Sequence, residues 1–344
     1  MNGLDLWLRA ETYTGERRTP LAPSDVAALV DQGASVTVED SAARCYPVED
    51  FEASGACTAE TGSWVDAPPD TYILGVKALP DEPEPLSGRH LYFAHAFRGQ
   101  RGTDRLLDRF LAGRGELLDL EYVTDGEGKR LAAFGRWAGY VAAALAVLQW
   151  NGRLPLPLEP TSRGELDASI AGFPTTPRVL VIGGLGRCGR GAREALAQAG
   201  IRPTLWDVRE TARLDRDAIQ DHDILINTVG GSGPSDVLLA PQHLRLNRRL
   251  ALIVDVTCDV GSPNHLLPVY DQLTTWDEPV RTVTDGLSVI AIDNLPSLLP
   301  REASADFSGQ LAPLLEQLPD GTCWQRCRDA FLAALDTKEM IRHD

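Results

Sequence analysis

A chain of 344 residues exceeds one typical hydrophobic core, so two domains are expected. Its 49 acidic against 33 basic side chains leave a net charge of −16, a field that disfavours nucleic acid and anionic membranes as partners. An anionic small-molecule substrate would have to be met by a local group of arginines or lysines. The opening MNGLDLWLRAET has no basic segment followed by an apolar one, so no secretory signal is expected. The most apolar segment, AGYVAAALAVLQW (138–150), is too short to span a bilayer and predicts a buried helix. Six cysteines without a C-x-x-C pair point to reduced thiols and a cytoplasmic protein, and six histidines without clustered spacing offer no metal site.

In chain order, LDLWLRAE, VTVED, YILGVKAL and HLYFAHAF predict strands, and PLAPSDVAALVDQGA predicts a helix whose start suits Ser24 and Asp25. The alternation argues for a first α/β layer. A long helix from about Phe134 to Trp150 follows, then the Pro- and Gly-bearing stretch NGRLPLPLEPTSRGELDASIAGFPTTP, which reads as a surface loop.

The segment RVLVIGGLGRCGRGAREALAQAG carries the first chemistry. An apolar run from Val179 to Ile182 suits a central parallel strand, and Gly184, Gly186 and Gly189 then give the G-x-G-x-x-G spacing. The first glycine allows a tight turn, the second lets backbone approach a pyrophosphate, and the third packs helix on strand. IRPTLWDVRE predicts a second short strand ending at Asp207, where a carboxylate meets adenine-ribose hydroxyls and repels a 2′-phosphate. NAD is therefore expected over NADP, with Arg209 near enough to soften the preference. DILINTV, LALIVDVT and LSVIAIDNLP continue the parallel sheet, with Asp255 and Asp293 at or near the carboxyl ends where ligands of such sheets lie. PREASADFSGQLAPLLEQL, with Glu302 and Ser304 near its first turn, and the final residues predict helices.

Two strand ends of the first layer bear groups that exchange protons. Lys77 interrupts an apolar run just before the turn signalled by Pro80. His95 sits among Tyr92, Phe93, Ala94 and Phe97, with Arg98 three residues on. Either residue alone also fits a plain reading, a strand-end lysine with its head in solvent or a hydrogen-bonded core histidine. Sequence alone does not bring the two together.

A wider set of blocks does point one way. LRAET with Glu16 and Arg18, VEDS, TGSW, GVKALP, YFAHAFRGQ, LLDLEYV, RLAAFGRWAG, VIGGLGRCGRGA, LWDVRE, IVDVT and VIAIDNLPSLLPREAS together closely resemble the fungal-type, NAD-dependent, lysine-forming saccharopine dehydrogenases. These oxidoreductases of lysine biosynthesis are related in fold to alanine dehydrogenase and transhydrogenase domains. The resemblance runs from Leu8 to about Ser308 and is weakest over 151–177 and the C-terminal residues. It implies Lys77 and His95 as the acid–base pair, and Arg18, Lys77, Arg98, Arg130, Phe134 and Glu121 around the substrate. On the cofactor side it implies Gly186, Arg187, Asp207, Thr211, Val256, Ile292, Asp293, Asn294 and Leu295. One position departs: the family usually has a glutamate after the catalytic lysine, where this chain has Ala78.

The expected architecture is α/β, two Rossmann-like doubly wound domains with the active site in the cleft between them. The substrate domain is expected over 1–133, completed by 302–344, and the NAD domain over 134–301. The resemblance implies oxidation of saccharopine to L-lysine and 2-oxoglutarate. Ala78 keeps open a sister dehydrogenase acting on another amine or 2-oxo acid, and a catalytically silent NAD-binding protein is a third reading. Oligomeric state stays open, because alanine dehydrogenases are hexamers and the fungal saccharopine enzymes act as monomers.

Overall fold

The computed structural model describes residues 3–97, 102–230, 237–262 and 264–343. The chain divides into two compact units, Met1–Ala133 with Ala303–Asp344, and Phe134–Glu302.

The first unit runs β1 (Asp5–Leu8), α1 (Pro23–Asp31), β2 (Ser35–Glu39), α2 (Val48–Glu52), β3 (Cys57–Ala59), β4 (Tyr72–Leu74), β5 (Arg89–Tyr92), α3 (Thr103–Gly113) and β6 (Glu116–Asp119). Its six strands are all parallel in the order β3-β2-β1-β4-β5-β6. β4, β5 and β6 have almost every residue buried, as a parallel sheet covered on both faces requires. The chain reverses its direction of travel across the sheet between β1 and β4. That reversal is the topological switch point beyond whose carboxyl ends α/β sheets hold ligands. The sequence patterns left out β3, whose CTA lies half in solvent at the sheet edge, and β6, whose ELLD carries charge at both ends. Helix α1 opens with Pro23 in its first turn behind Ala22, so Ser24 and Asp25 stand inside the helix rather than capping it.

The second unit contains α4 (Gly135–Trp150), α5 (Arg163–Ile170), β7 (Val179–Ile182), α6 (Arg187–Gln198), β8 (Thr204–Trp206), α7 (Val208–Thr211), α8 (Arg216–Gln220), β9 (Ile224–Asn227), β10 (Leu252–Asp255), β11 (Arg281–Thr284) and β12 (Leu287–Ile290). Its sheet has the order β11-β12-β10-β9-β7-β8, parallel except for the terminal β11, which pairs antiparallel with β12. The switch point falls between β7 and β9. The stretch expected as a surface loop holds α5, started by a reciprocal cap between Ser162 and Glu165. Its S-x-x-E spacing was the signal behind the prolines. The alanine-rich α4 is buried along most of its length, and glycines let it cross α6 at backbone contact. A Cβ at Gly139 would fall 1.8 Å from the Cys188 carbonyl oxygen, and one at Gly191 1.8 Å from that of Arg136.

The chain closes with α9 (Pro300–Leu315) and α10 (Thr322–His343), which join the first unit from Ala303 onward. Among the described residues no helix is long and apolar enough to cross a membrane.

Candidate active site

Lys77 and His95 both lie beyond the carboxyl ends of the neighbouring parallel strands β4 and β5. Beyond the ends of β4 and β5 the two segments keep hydrogen-bonding, Gly75 N donating to Leu91 O at 2.9 Å and Phe93 N to Val76 O at 3.3 Å. Lys77 is one residue past the first segment's last such bond, and His95 is two past the second's. Residues after β1 grip the lysine. The Glu11 carboxylate accepts from Val76 N at 2.6 Å and Lys77 N at 3.0 Å, while the Arg9 guanidinium donates to the Lys77 carbonyl and sits 3.6 Å from Glu11. Burial raises the Glu11 carboxyl above its ordinary range, against the opposing pull of Arg9. The Lys77 ammonium stands 4.9 Å over the Tyr13 ring. Ala78, the departure from the family pattern, is exposed.

His95 has a left-handed backbone, φ 50°, uncommon for a residue with a Cβ. The fully buried Asp119, at the end of β6, accepts from the amides on both sides of it, Ala94 N at 3.2 Å and Ala96 N at 3.3 Å. The imidazole stacks on Phe93 at 6.3 Å between centroids and presents Nδ1 3.7 Å from Glu121 Oε1, which accepts from Arg130 Nη1 at 2.7 Å. So the structure brings His95, Glu121 and Arg130 into one chain of contacts, with half of the imidazole open to solvent.

Arg18 is buried and bound two-pronged by Glu16, Nε to Oε1 at 2.8 Å and Nη2 to Oε2 at 2.6 Å. Its charge is therefore matched within the unit, and a substrate carboxylate approaching it meets an ion pair rather than a bare cation. Arg98 lies outside the described residues. Phe134, the N-cap of α4, belongs to the second unit and is buried.

In the second unit the turn after β7 has the form a dinucleotide needs. The positive φ, 80°, is at Gly183, one residue before the glycine expected to make the tight turn. A side chain at Gly183 would meet Thr228, one at Gly184 would meet Leu205, and one at Gly189 would lie 2.2 Å from the Gly183 carbonyl. Gly186 is the N-cap of α6 and, having no side chain, makes no side-chain cap at the start of the helix. Asp207 spends one carboxylate oxygen on Leu185 N at 3.0 Å and the other on Val208 N at 2.9 Å, which ties β8 to the turn. A carboxylate has about four lone-pair sites, so Asp207 can accept from a ribose hydroxyl as well. The Thr211 hydroxyl is turned back onto the Asp207 carbonyl at 3.0 Å. Val256 follows β10 and donates its amide to Asn227 O at 3.0 Å. Of the group 292–295, Asp293 is exposed while Ile292, Asn294 and Leu295 are buried. Asn294 accepts from Trp276 Nε1 at 2.7 Å and keeps a buried Nδ2 without a partner among the described residues. The glycine turn, the helix that starts at a glycine and the acid at the end of β8 fit NAD. Asp255, noted in the sequence, is structural: its carboxylate accepts from Asn227, Thr257 and Tyr270 and is 1% exposed.

Comparison with known proteins decides what this arrangement belongs to. Residues 7–141 match the family model described as alanine dehydrogenase/PNT, N-terminal domain, and residues 208–338 match the corresponding C-terminal domain. A saccharopine dehydrogenase [NAD(+), L-lysine-forming] of Emericella nidulans is 41% identical, the alignment covering 96% of this chain and 97% of that protein. The chain belongs to the saccharopine dehydrogenase [NAD(+), L-lysine-forming] family. A second saccharopine dehydrogenase of that name, from Yarrowia lipolytica, is 40% identical with 95% and 96% covered. Among solved structures an L-alanine dehydrogenase superposes with a TM-score of 0.66 at 18% identity, covering 96% of this chain and 94% of the other, a likeness of fold. For a saccharopine dehydrogenase the two Rossmann-like α/β units and the NAD-type turn are what the sequence reading expects.

Sequence reasoning missed Arg9, Glu11 and Asp119, which support the candidates from beneath. The signal was present in LRAE and LLDLE, acids and an arginine where an apolar strand stops. Such residues are as often solvated as buried, and only the sheet order shows what they hold.

Proposed function

We propose that this protein oxidises saccharopine to L-lysine and 2-oxoglutarate with NAD as the oxidant. The observation that carries the reading is the arrival of Lys77 and His95 at the ends of paired strands β4 and β5 in a chain of this family. NAD, when bound by Gly184, Gly186, Arg187, Gly189, Asp207 and the strand-end residues Val256 and 292–295, supplies the hydride acceptor. The chain supplies the proton chemistry. Saccharopine's secondary amine must lose its extra proton before the C–H bond beside it can be oxidised, and Lys77, held by Glu11 and Arg9, is the base. The imine carbon then takes up water. His95, steadied by Glu121, removes a proton from that water and passes one to the departing lysine nitrogen as the carbinolamine C–N bond breaks. The three substrate carboxylates are assigned to Arg18, Arg98 and Arg130, with Phe134 along the carbon chain. Arg130 shares its guanidinium with Glu121, which couples substrate seating to the His95 contact.

Six cysteines that form no disulfide support a reducing compartment, and we take the enzyme to be cytoplasmic. The test is product identification. Purified protein with saccharopine and NAD+ should form NADH with equal amounts of lysine and 2-oxoglutarate, and the reverse mixture should consume NADH. Turnover confined to another amine or 2-oxo acid would overturn the assignment.

A further inference from the structure

Asp119 does more at the carboxyl end of the sheet than end a strand. It is fully buried, yet its carboxylate faces three amides: Oδ1 accepts from Ala94 N at 3.2 Å and Glu121 N at 3.0 Å, and Oδ2 from Ala96 N at 3.3 Å. Two of these amides bracket His95, and the third belongs to the glutamate that lies 3.7 Å from the His95 ring. We propose that Asp119 is the positioning residue of the reaction, a single buried carboxylate that sets the backbone of His95 and of Glu121 and so holds the imidazole in register with its partner.

The proposal rests on reading His95 as the proton relay, and it explains a feature that reading leaves alone. The left-handed backbone of His95, φ 50°, is unfavourable for any side chain bearing a Cβ. Such a residue persists only where its surroundings over-determine it. The amides on either side of His95 both reach this one carboxylate, each on its own oxygen, so Asp119 clamps the turned residue from both sides. A neutral amide side chain in its place offers one acceptor oxygen and turns an NH2 toward a neighbouring N–H. At least one of the three contacts is then lost, and the backbone that aims the ring at Glu121 is no longer fixed from both sides.

The test is a double-mutant cycle on the full-length enzyme with saccharopine and NAD+. Asp119→Asn should lower kcat about 10²-fold, the cost of misplacing a reacting group by about an ångström, with the KM for NAD+ held within about twofold. In a His95→Gln background the same substitution should change kcat less than about twofold, because the group it positions is gone. Parental kcat in Asp119→Asn, or an equal loss in both backgrounds, would overturn the proposal, the latter because a generally structural residue acts regardless of the imidazole. Parental kcat in His95→Gln alone would overturn the reading of His95 and this proposal with it, a result distinguishable from either of the others. Should Asp119→Asn fail to fold, Asp119→Ser, which keeps one acceptor oxygen, carries the same cycle.

Discussion

Gly75 and Arg9 touch so closely that a Cβ on the glycine would lie 2.4 Å from the Arg9 Nη2 and 2.5 Å from its Cζ. Arg9 is 2% exposed and donates to the Lys77 carbonyl, so the guanidinium has nowhere to retreat without releasing the lysine segment. Gly75→Ala is expected to destabilise by about 1–3 kcal/mol through overpacking and to depress kcat more than the KM for NAD+. Thermal unfolding and steady-state kinetics check this, and an alanine variant with parental kcat would show that Arg9 does not hold Lys77.

His90 supplies a pH dependence of stability. The ring is fully buried between Trp64 and Phe110, at 5.5 and 5.4 Å between centroids, and desolvation pushes its pKa from 6.5 down to about 4, against a hydrogen bond to Ser87 O. Between those values the unfolded chain binds a proton that the folded chain refuses. The folded state is therefore unpenalised above pH 6.5 and loses stability as pH falls toward 4, by about 3 kcal/mol in all. His90→Gln, which can still donate to Ser87 O, should show a shallower decline over that window in urea unfolding. An unchanged slope would count against His90 as the source.

Asp207 is expected to govern the choice of cofactor. Replacing it with asparagine removes the charge that repels a 2′-phosphate and weakens a charge-assisted bond to the ribose, worth about 1.5–3 kcal/mol. The KM for NAD+ should rise roughly tenfold to a hundredfold, and that for NADP+ should rise less or fall, with Arg209 two residues on in sequence. Equal effects on the two cofactors would place the ribose elsewhere.

Two helical glycines, one at the α4–α6 crossing and one on α9, are expected to give opposite outcomes. Gly191→Ala drives a Cβ into the Arg136 carbonyl at 1.8 Å and should cost about 3 kcal/mol, because backbone cannot step aside as a side-chain tip can. Gly309 of α9, where an added Cβ meets nothing within 4 Å, should gain up to about 1 kcal/mol from the same substitution. Thermal denaturation separates them.

Much of this protein was legible in its residues because buried parallel strands are written as apolar runs. VLVI, ILIN and LIVD could be read directly, and so could the glycines after the first of them. Three-residue β3 and antiparallel β11, whose RTVT alternates half-buried with exposed, carry no such run and escaped. The turn glycine was misplaced by one position because G-x-G-x-x-G spacing names which residues lack side chains and not which one has φ above zero. That fell to Gly183, where the strand ends. At the candidate site Glu121 and Arg130 came from the family resemblance, while Lys77 and His95 were readable as chemistry. Their supports were not: a carboxylate that binds amides of another strand, as Glu11 and Asp119 do, acts across a distance in sequence that no local pattern spans.

The most direct measurement is the turnover of Lys77→Met, His95→Gln and their combination with saccharopine and NAD+, alongside NADH binding by fluorescence. General acid–base groups contribute about 10²–10⁴-fold each, so every variant should fall by at least about 10² in kcat while binding NADH as the parent does. Variants that turn over within about tenfold of the parent would show that the protons move through other groups.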